Sequence, residues 1–184
     1  MPTSPQRSTV TRQDRAIYDE GWIVDFLGKA GMGTIATARD GQPYQSTLLF
    51  VYEPGAHAIY LHTGKRGRVW DNLQNDPRVC FTATQMGRLL PAAVALNFSV
   101  EYQSVVAFGL ARLVADPVEA ERALQLLLDK YFPHLRPGAD YRPITETELS
   151  ATAVYRMDVE EWSGKRKAVG EDFPGAFVWG EIED

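Results

Sequence analysis

The residues best equipped for chemistry in this 184-residue chain lie in one run, His62-Thr63-Gly64-Lys65-Arg66-Gly67-Arg68. Three cations and two glycines follow an extended apolar stretch and precede a helical one. Glycine lets backbone approach an anion, amides at a helix start point toward it, and Lys65, Arg66 and Arg68 supply charge. Arg68 adds a planar fork suited to a phosphoryl group. The run reads as a phosphate cradle, and His62 at its edge can orient a substrate or supply a proton near neutral pH. Other catalytic patterns are missing: no Walker or dinucleotide glycine loop, no His-Glu-x-x-His and no Gly-x-Ser-x-Gly elbow. Three scattered histidines (His57, His62, His134) and the single Cys80 do not make a zinc site from neighbouring ligands. Such a small supply of acid–base groups points to chemistry carried by a bound cofactor.

The spacing predicts the elements that position this run. Thr11 and Asp14 predict the cap of a helix with apolar residues Ile17, Trp22, Phe26 and Leu27, ended by Gly31 and Gly33. Residues 34–39 and 44–52 read as strands joined by Asp40-Gly41, a hairpin signal. Glu53-Pro54-Gly55 turns into a strand over 58–63; residues 64–75 are a loop and a helix stopped by Asp76-Pro77. A fourth strand covers 78–84, an apolar stretch broken by glycine and proline covers 85–97, and a long strand covers 98–114. Asp116, Pro117 and Glu119 start a helix whose stripe of Val118, Ala123, Leu124, Leu127, Leu128 and Tyr131 reads as core rather than as a cofactor site. Thr145 and Glu148 cap a short helix, and 152–162 is the last strand. Six strands joined mostly by tight turns make an α+β fold: an antiparallel six-stranded barrel with flanking helices. The expectation is a single domain over 1–184, with a mobile N-terminal arm over about 1–12 and a solvated acidic tail over about 170–184.

Composition narrows the partners. A net charge of −5 argues against nucleic acid, and one cysteine excludes an internal disulfide. The polar N-terminus lacks the apolar core of a signal peptide, and residues 89–100 are too short to span a bilayer and contain Pro91 and Asn97. These features predict a cytoplasmic protein with neither membrane nor nucleic-acid partner.

Three stretches in this order carry a resemblance: Tyr60 through Val79, Phe98 through Gly109, and Trp162-Ser163-Gly164-Lys165. Together they resemble the FMN-binding split-barrel superfamily of pyridoxamine 5'-phosphate oxidase-like proteins, most of all its nitroimidazole-reductase (Nim)-like branch. The resemblance implies that the barrel is a split one, that FMN is the cofactor, and that a homodimer carries two symmetric sites at its interface. It places His62 and Thr63 on the pair lining the flavin, and Arg68 on the first of two basic phosphate ligands, whose lysine neighbour is here Val69. Gln45 and Phe50 stand near two further basic positions, so part of the oxidase clamp is absent and Lys65 or Arg66 compensates. Ser46, Thr47 and Leu48 would flank the isoalloxazine through backbone groups, and Tyr102 and Ser104 would reach it across the subunit interface. Trp162 would cover an edge of the ring, and Lys165 would stabilise its reduced anion.

The departures argue against pyridoxamine-phosphate oxidation. They leave an FMN-dependent oxidoreductase of Nim-like type, served by transient NAD(P)H and reducing a small organic substrate such as a nitroaromatic compound. A non-catalytic flavin- or haem-binding module is the alternative, and haem and a deazaflavin are the alternative cofactors. The apolar stretch 89–98 is the surface expected to meet the second copy.

Overall fold

The computed structural model describes residues 6–181. Asp19, rather than Thr11 or Asp14, opens the first helix. Its carboxylate accepts from the Trp22 amide at 2.6 Å, and α1 runs Glu20–Lys29. Asp14 is held by Arg12 at 2.8 Å, and Ile17 belongs to a two-residue strand, β1 (Ala16–Ile17), not to the helix. The described part of the expected arm is packed: Arg7 pairs with Glu160 and Glu161, and Val10 is buried. Residues 1–5 and 182–184 of the expected arm and tail lie outside the described residues.

The sheet is antiparallel throughout. It comprises β1, β2 (Gly33–Arg39), β3 (Gln42–Leu48), β4 (Phe50–Glu53), β5 (Ala58–Gly64), β6 (Arg78–Leu90), β7 (Ser99–Leu113) and β8 (Thr152–Lys167). The order is β3-β2-β6-β7-β8-β5-β4, with β1 on β8. Eight strands stand where six are expected, because β1 is added and the 44–52 strand is two. Its first half pairs with β2 and its second with β5, and only Leu49 lies between them. The two ends of the sheet are thus consecutive in sequence, and one chain segment closes the barrel by changing neighbours. Asp40 and Gly41, both with positive φ (52° and 77°), make the expected tight turn between β2 and β3.

Closure leaves polar backbone without a strand partner, and α3 (Pro117–Tyr131) supplies one. The Tyr131 hydroxyl donates to the Phe50 carbonyl at 3.0 Å and accepts from the Phe50 amide at 3.1 Å. Lys130 Nζ donates to the carbonyls of Phe50 and of Leu27, in the last turn of α1, both at 3.0 Å. It also stands 3.7 Å from the centroid of the Phe50 ring. Burial pushes the Lys130 amine down to about 8.

Two apolar clusters result. One fills the barrel and the underside of α1, including Phe50, Leu61, Phe81 and Tyr155. The other lies between the outer face of β5 and α3, including Ala58, Tyr60, Ala123 and Leu127. The caps of α3 (Asp116, accepting from Val118) and of the short α4 (Glu146–Ala151, a full Thr145–Glu148 capping box) are as expected. Val118, expected in the α3 stripe, is 72% exposed instead.

The acidic tail begins against the sheet. Arg88 binds Glu101 at 2.8 Å and donates to the carbonyls of Gly170 and Glu171, while Leu89 and Phe177 exchange backbone hydrogen bonds. Leu89 and Leu90 therefore end β6, which runs beyond its expected limit at residue 84, and Leu90 is buried.

Two predictions follow from the seam. Tyr131→Phe strands the Phe50 amide and should lower unfolding free energy by about 1–3 kcal/mol in urea titration. Lys130 titrates near 8 in the folded chain and near its ordinary 10.5 when unfolded. Between those values the unfolded chain binds more protons, so this group makes stability rise with pH. Lys130→Met should flatten the rise in urea midpoint between pH 8 and 10.5 relative to wild type.

Candidate functional site

The split has two lips. The β4–β5 ladder ends at Phe50↔Leu61, and its register continued by one and two steps sets Leu49 against His62 and Leu48 against Thr63. Those pairs do not form, because β3 leaves to join β2, with Leu48 opposite Gly33. Side chains alternate along each lip. Ile59 and Leu61 enter the barrel while Ala58 and Tyr60 lie under α3, so Thr63 follows the inner set and His62 the outer. On β3, Tyr44 and Leu48 pack on the barrel core, Ser46 shares their face, and Thr47 points outward to bond Thr34 at 2.9 Å.

His62 lines a cavity of about 380 Å³ between β5 and α3, walled by Leu49, Leu124, Leu128 and Tyr131. Burial lowers the pKa of its imidazole, which favours the uncharged ring. Thr63 donates to the carbonyl of Gly64 at 2.8 Å. Within the barrel the hydroxyl of Tyr155 is buried without a hydrogen-bond partner among the described residues, and burial raises its pKa.

The basic run does not converge on one point. Arg68 begins α2 (Arg68–Leu73), whose cap, Gly67, has φ 110° and no capping side chain. Six residues make too short a helix for an appreciable dipole, so the anion-binding charge rests with side chains. The Arg68 guanidinium lies 5.3 Å from the Tyr44 ring centroid and lines a second cavity of about 380 Å³ with Arg39, Asp71 and Asn72. Asn72, buried, donates to Thr37 at 2.9 Å and fixes α2 to β2. Lys65 turns away into a cavity of about 430 Å³ beside α4, and Arg66 is exposed.

The remaining expected residues lie elsewhere. Ser104 and Tyr102 pair across the sheet with Lys165 and Lys167, and Arg15 donates to the Tyr102 hydroxyl at 3.4 Å. Lys165 Nζ is 5.9 Å from the Tyr102 ring. Trp162 packs on Tyr52 and His57, at 5.3 and 4.7 Å between ring centroids. His62 pairs with Val154 on β8, so Trp162 is eight residues farther along that strand, about 26 Å at strand rise. Within one chain, Tyr102, Ser104, Trp162 and Lys165 do not join His62, because they lie on or pair with the C-terminal end of β8, whereas His62 pairs with its N-terminal end.

The structure adds three features that the sequence reading lacks. Arg39 joins Arg68 because the Asp40-Gly41 turn brings the end of β2 beside α2. Leu124 and Leu128, read as core, form the cavity wall facing His62. Tyr155 offers an unpaired hydroxyl, and no local signal marks it apart from the alternating apolar residues of β8. No helix among the described residues is long and apolar enough to cross a membrane.

Comparison with known proteins gives a consistent fold. The chain resembles the flavocytochrome Anf3 from Azotobacter vinelandii (TM-score 0.76, 22% identity, 97% of this chain and 87% of that one). It resembles the FAD and haem binding protein of Mycobacterium smegmatis (TM-score 0.74, 22% identity, 83% and 73%). A protein of Bacteroides thetaiotaomicron named for 5-nitroimidazole antibiotic resistance matches with TM-score 0.68 and 22% identity over 82% of this chain and 86% of that one. At these identities the likeness is one of fold. No curated protein matches. Residues 19–166 match the family described as Pyridoxamine 5'-phosphate oxidase, and with most of its length inside that match the chain belongs to the pyridoxamine 5'-phosphate oxidase family.

Proposed function

We propose that the chain is a flavin-dependent oxidoreductase of Nim-like type that reduces a small organic acceptor, such as a nitroaromatic compound, with NAD(P)H as a visiting reductant. One observation carries the reading: a polar cavity against α2, lined by Arg39 and Arg68 together with Asp40 and Asp71, and an apolar cavity under α3 that holds His62. The family and the nitroimidazole-resistance neighbour support it. The residues fit FMN. Arg68 supplies forked donors for the phosphate, Arg39, paired with Asp40 at 3.5 Å, adds charge beside it, and the open space about Gly64 and Gly67, where an added Cβ meets nothing within 4 Å, admits it closely. Bound flavin would supply hydride transfer. Leu48 and Thr63 would flank it, the apolar walls of the α3 cavity would exclude water from the acceptor, and His62 would orient that acceptor or give it a proton.

A second copy of the chain completes the arrangement. Leu96 and Phe98 are 91% and 59% exposed on the loop after β6, with Val94 beside them, an apolar surface suited to a two-fold partner. Tyr102, Ser104, Trp162 and Lys165, remote from His62 in one chain, would serve the site of the other.

A second reading places haem in the α3 cavity. It is favoured by the lining, apolar except for His62 and a few engaged polar groups, and by the flavocytochrome and the FAD and haem binding protein among the neighbours.

The visible spectrum of purified protein tests both readings, with anaerobic NAD(P)H followed by a 5-nitroimidazole as the functional assay. A flavin band that bleaches and then recovers is the expected result, and a bound flavin that never turns over would overturn the enzymatic reading. Arg68→Ala should weaken FMN binding by about 1.5–3 kcal/mol in fluorescence titration while leaving the thermal midpoint unchanged. Light scattering should give about twice the 20.6 kDa chain mass, and Leu96→Glu should halve it. A wild-type monomer that binds FMN fully would remove the shared site.

A further inference from the structure

Among the described residues two buried side-chain atoms lack a hydrogen-bond partner, Glu53 Oε2 and the hydroxyl of Tyr155. Glu53 is still engaged, because its other oxygen accepts from Arg122. Tyr155 has one polar atom only, and the whole residue is buried in the barrel cluster with Leu61 and Phe81. A buried hydroxyl left unmet costs more than a typical hydrogen bond contributes. Phenylalanine would fill the same space without that cost, so packing does not account for the phenol.

The register sets this phenol beside the lip of the split. Tyr155 lies opposite Leu61 and Ala153 opposite Thr63, all four on the inner face. Ala153 ends at its Cβ, which leaves the tyrosine ring room to lie toward Thr63, its diagonal neighbour across the pair. The Thr63 hydroxyl is close enough to act on it: burial pushes the phenol's pKa up, Thr63 pulls it down, and the Asp71 carboxylate of α2 pushes it up. The two hydroxyls nevertheless do not bond to one another. Thr63 gives its proton to the carbonyl of its own neighbour, Gly64, at 2.8 Å. A threonine hydroxyl has three staggered positions, and Gly64 is exposed, so water can serve that carbonyl when Thr63 turns away. Turned, Thr63 can accept from Tyr155 and donate to a group lying between the lips. The pyrimidine half of an isoalloxazine carries carbonyl and ring-nitrogen acceptors of the kind a hydroxyl meets.

We infer that Tyr155 is a positioning residue for the flavin ring: its hydroxyl donates to Thr63 Oγ1, and Thr63 in turn gives its proton to an acceptor atom of the isoalloxazine. This rests on the flavin reading above. It gives the buried phenol its partner in the flavin-bound chain and makes Thr63 a two-position hydroxyl, bonded to Gly64 in one state and to Tyr155 in the other.

Tyr155→Phe in the full-length chain tests it, with urea titration of the flavin-free protein and FMN titration by fluorescence as readouts. The flavin-free variant should unfold at the wild-type urea midpoint or a higher one, since it loses only an unmet hydroxyl. Its FMN affinity should fall about five- to tenfold, and the visible band of the bound flavin should shift. In a Thr63→Val background Tyr155→Phe should change affinity no further, whereas Thr63→Ser, which keeps the hydroxyl, should restore the dependence on Tyr155. Thr63→Ala gives the same comparison if the valine variant folds poorly. A lower midpoint for flavin-free Tyr155→Phe would show that the hydroxyl is already bonded, and would overturn the inference. Unchanged FMN affinity would also overturn it, as would an equal loss with and without the Thr63 hydroxyl, and both results leave the flavin reading intact. A wild-type chain that fails to bind FMN would overturn the flavin reading itself, and this inference with it.

Discussion

The backbone of Phe50 is the point on which this barrel closes. Its amide and carbonyl face neither β2 nor β5 but the side chains of Tyr131 and Lys130. A buried peptide group without a partner costs several times what a typical hydrogen bond contributes. The chain can therefore change neighbours at Leu49 only because α3 arrives with a hydroxyl and an amine at that place. The split is stabilised by a helix rather than by a ladder.

From this constraint the site follows. Had β3 stayed beside β5, Leu48 and Leu49 would face Thr63 and His62 as ordinary cross-strand pairs, with no opening between them. The helix that satisfies the opening also bounds it. Tyr131 and Lys130 serve the seam, Ala120, Ala123 and Leu127 bury the outside of β5, and Leu124 and Leu128 wall the cavity of His62. Beneath α3 the fully buried Tyr60 donates to Glu119, with Arg122 and Arg156 alongside, so the helix is oriented by polar contacts as well as held by apolar ones. Stability and the shape of the His62 cavity are thereby lodged in one element, and substitutions along its inner face will not separate them cleanly.

What could be read from the sequence was local. The Asp40-Gly41 turn, the Asp116-Pro117 start and the Thr145–Glu148 box each depend on a few adjacent residues, and each stands as expected. The division of 44–52 is not legible, since no glycine, proline or charged residue stands between Tyr44 and Tyr52 to mark a break. Ser46, Leu48, Phe50 and Tyr52 keep one face across the break, and only the identity of the neighbouring strand changes. Asp14 and Asp19 compete as caps on equal local terms, and Arg12 decides by occupying the first. The cations were legible as a run but not as a fan. A turn of seven residues sends Lys65 toward α4 and Arg68 toward Tyr44, and Arg39 enters from a distant strand. The leucine stripe is core at Leu127, which is buried, and at Leu124, which packs on the same cluster and also walls the cavity with Leu128.

A sheet whose two ends are successive pieces of one strand also has a distinctive assembly problem. β2 and β3 can join as a hairpin at once, and so can β4 and β5, but the sheet between them must form through β6, β7 and β8 before the circle is complete. Until then both hairpins offer an unpaired edge, and the group that quiets the last of it sits about eighty residues away on α3. Contacts of such separation form slowly, and exposed edges are templates for pairing with other chains. The nascent polypeptide thus carries Lys130 and Tyr131 some eighty positions behind Phe50 and β8 farther still, so during synthesis the barrel waits open until residues 152–167 have left the ribosome.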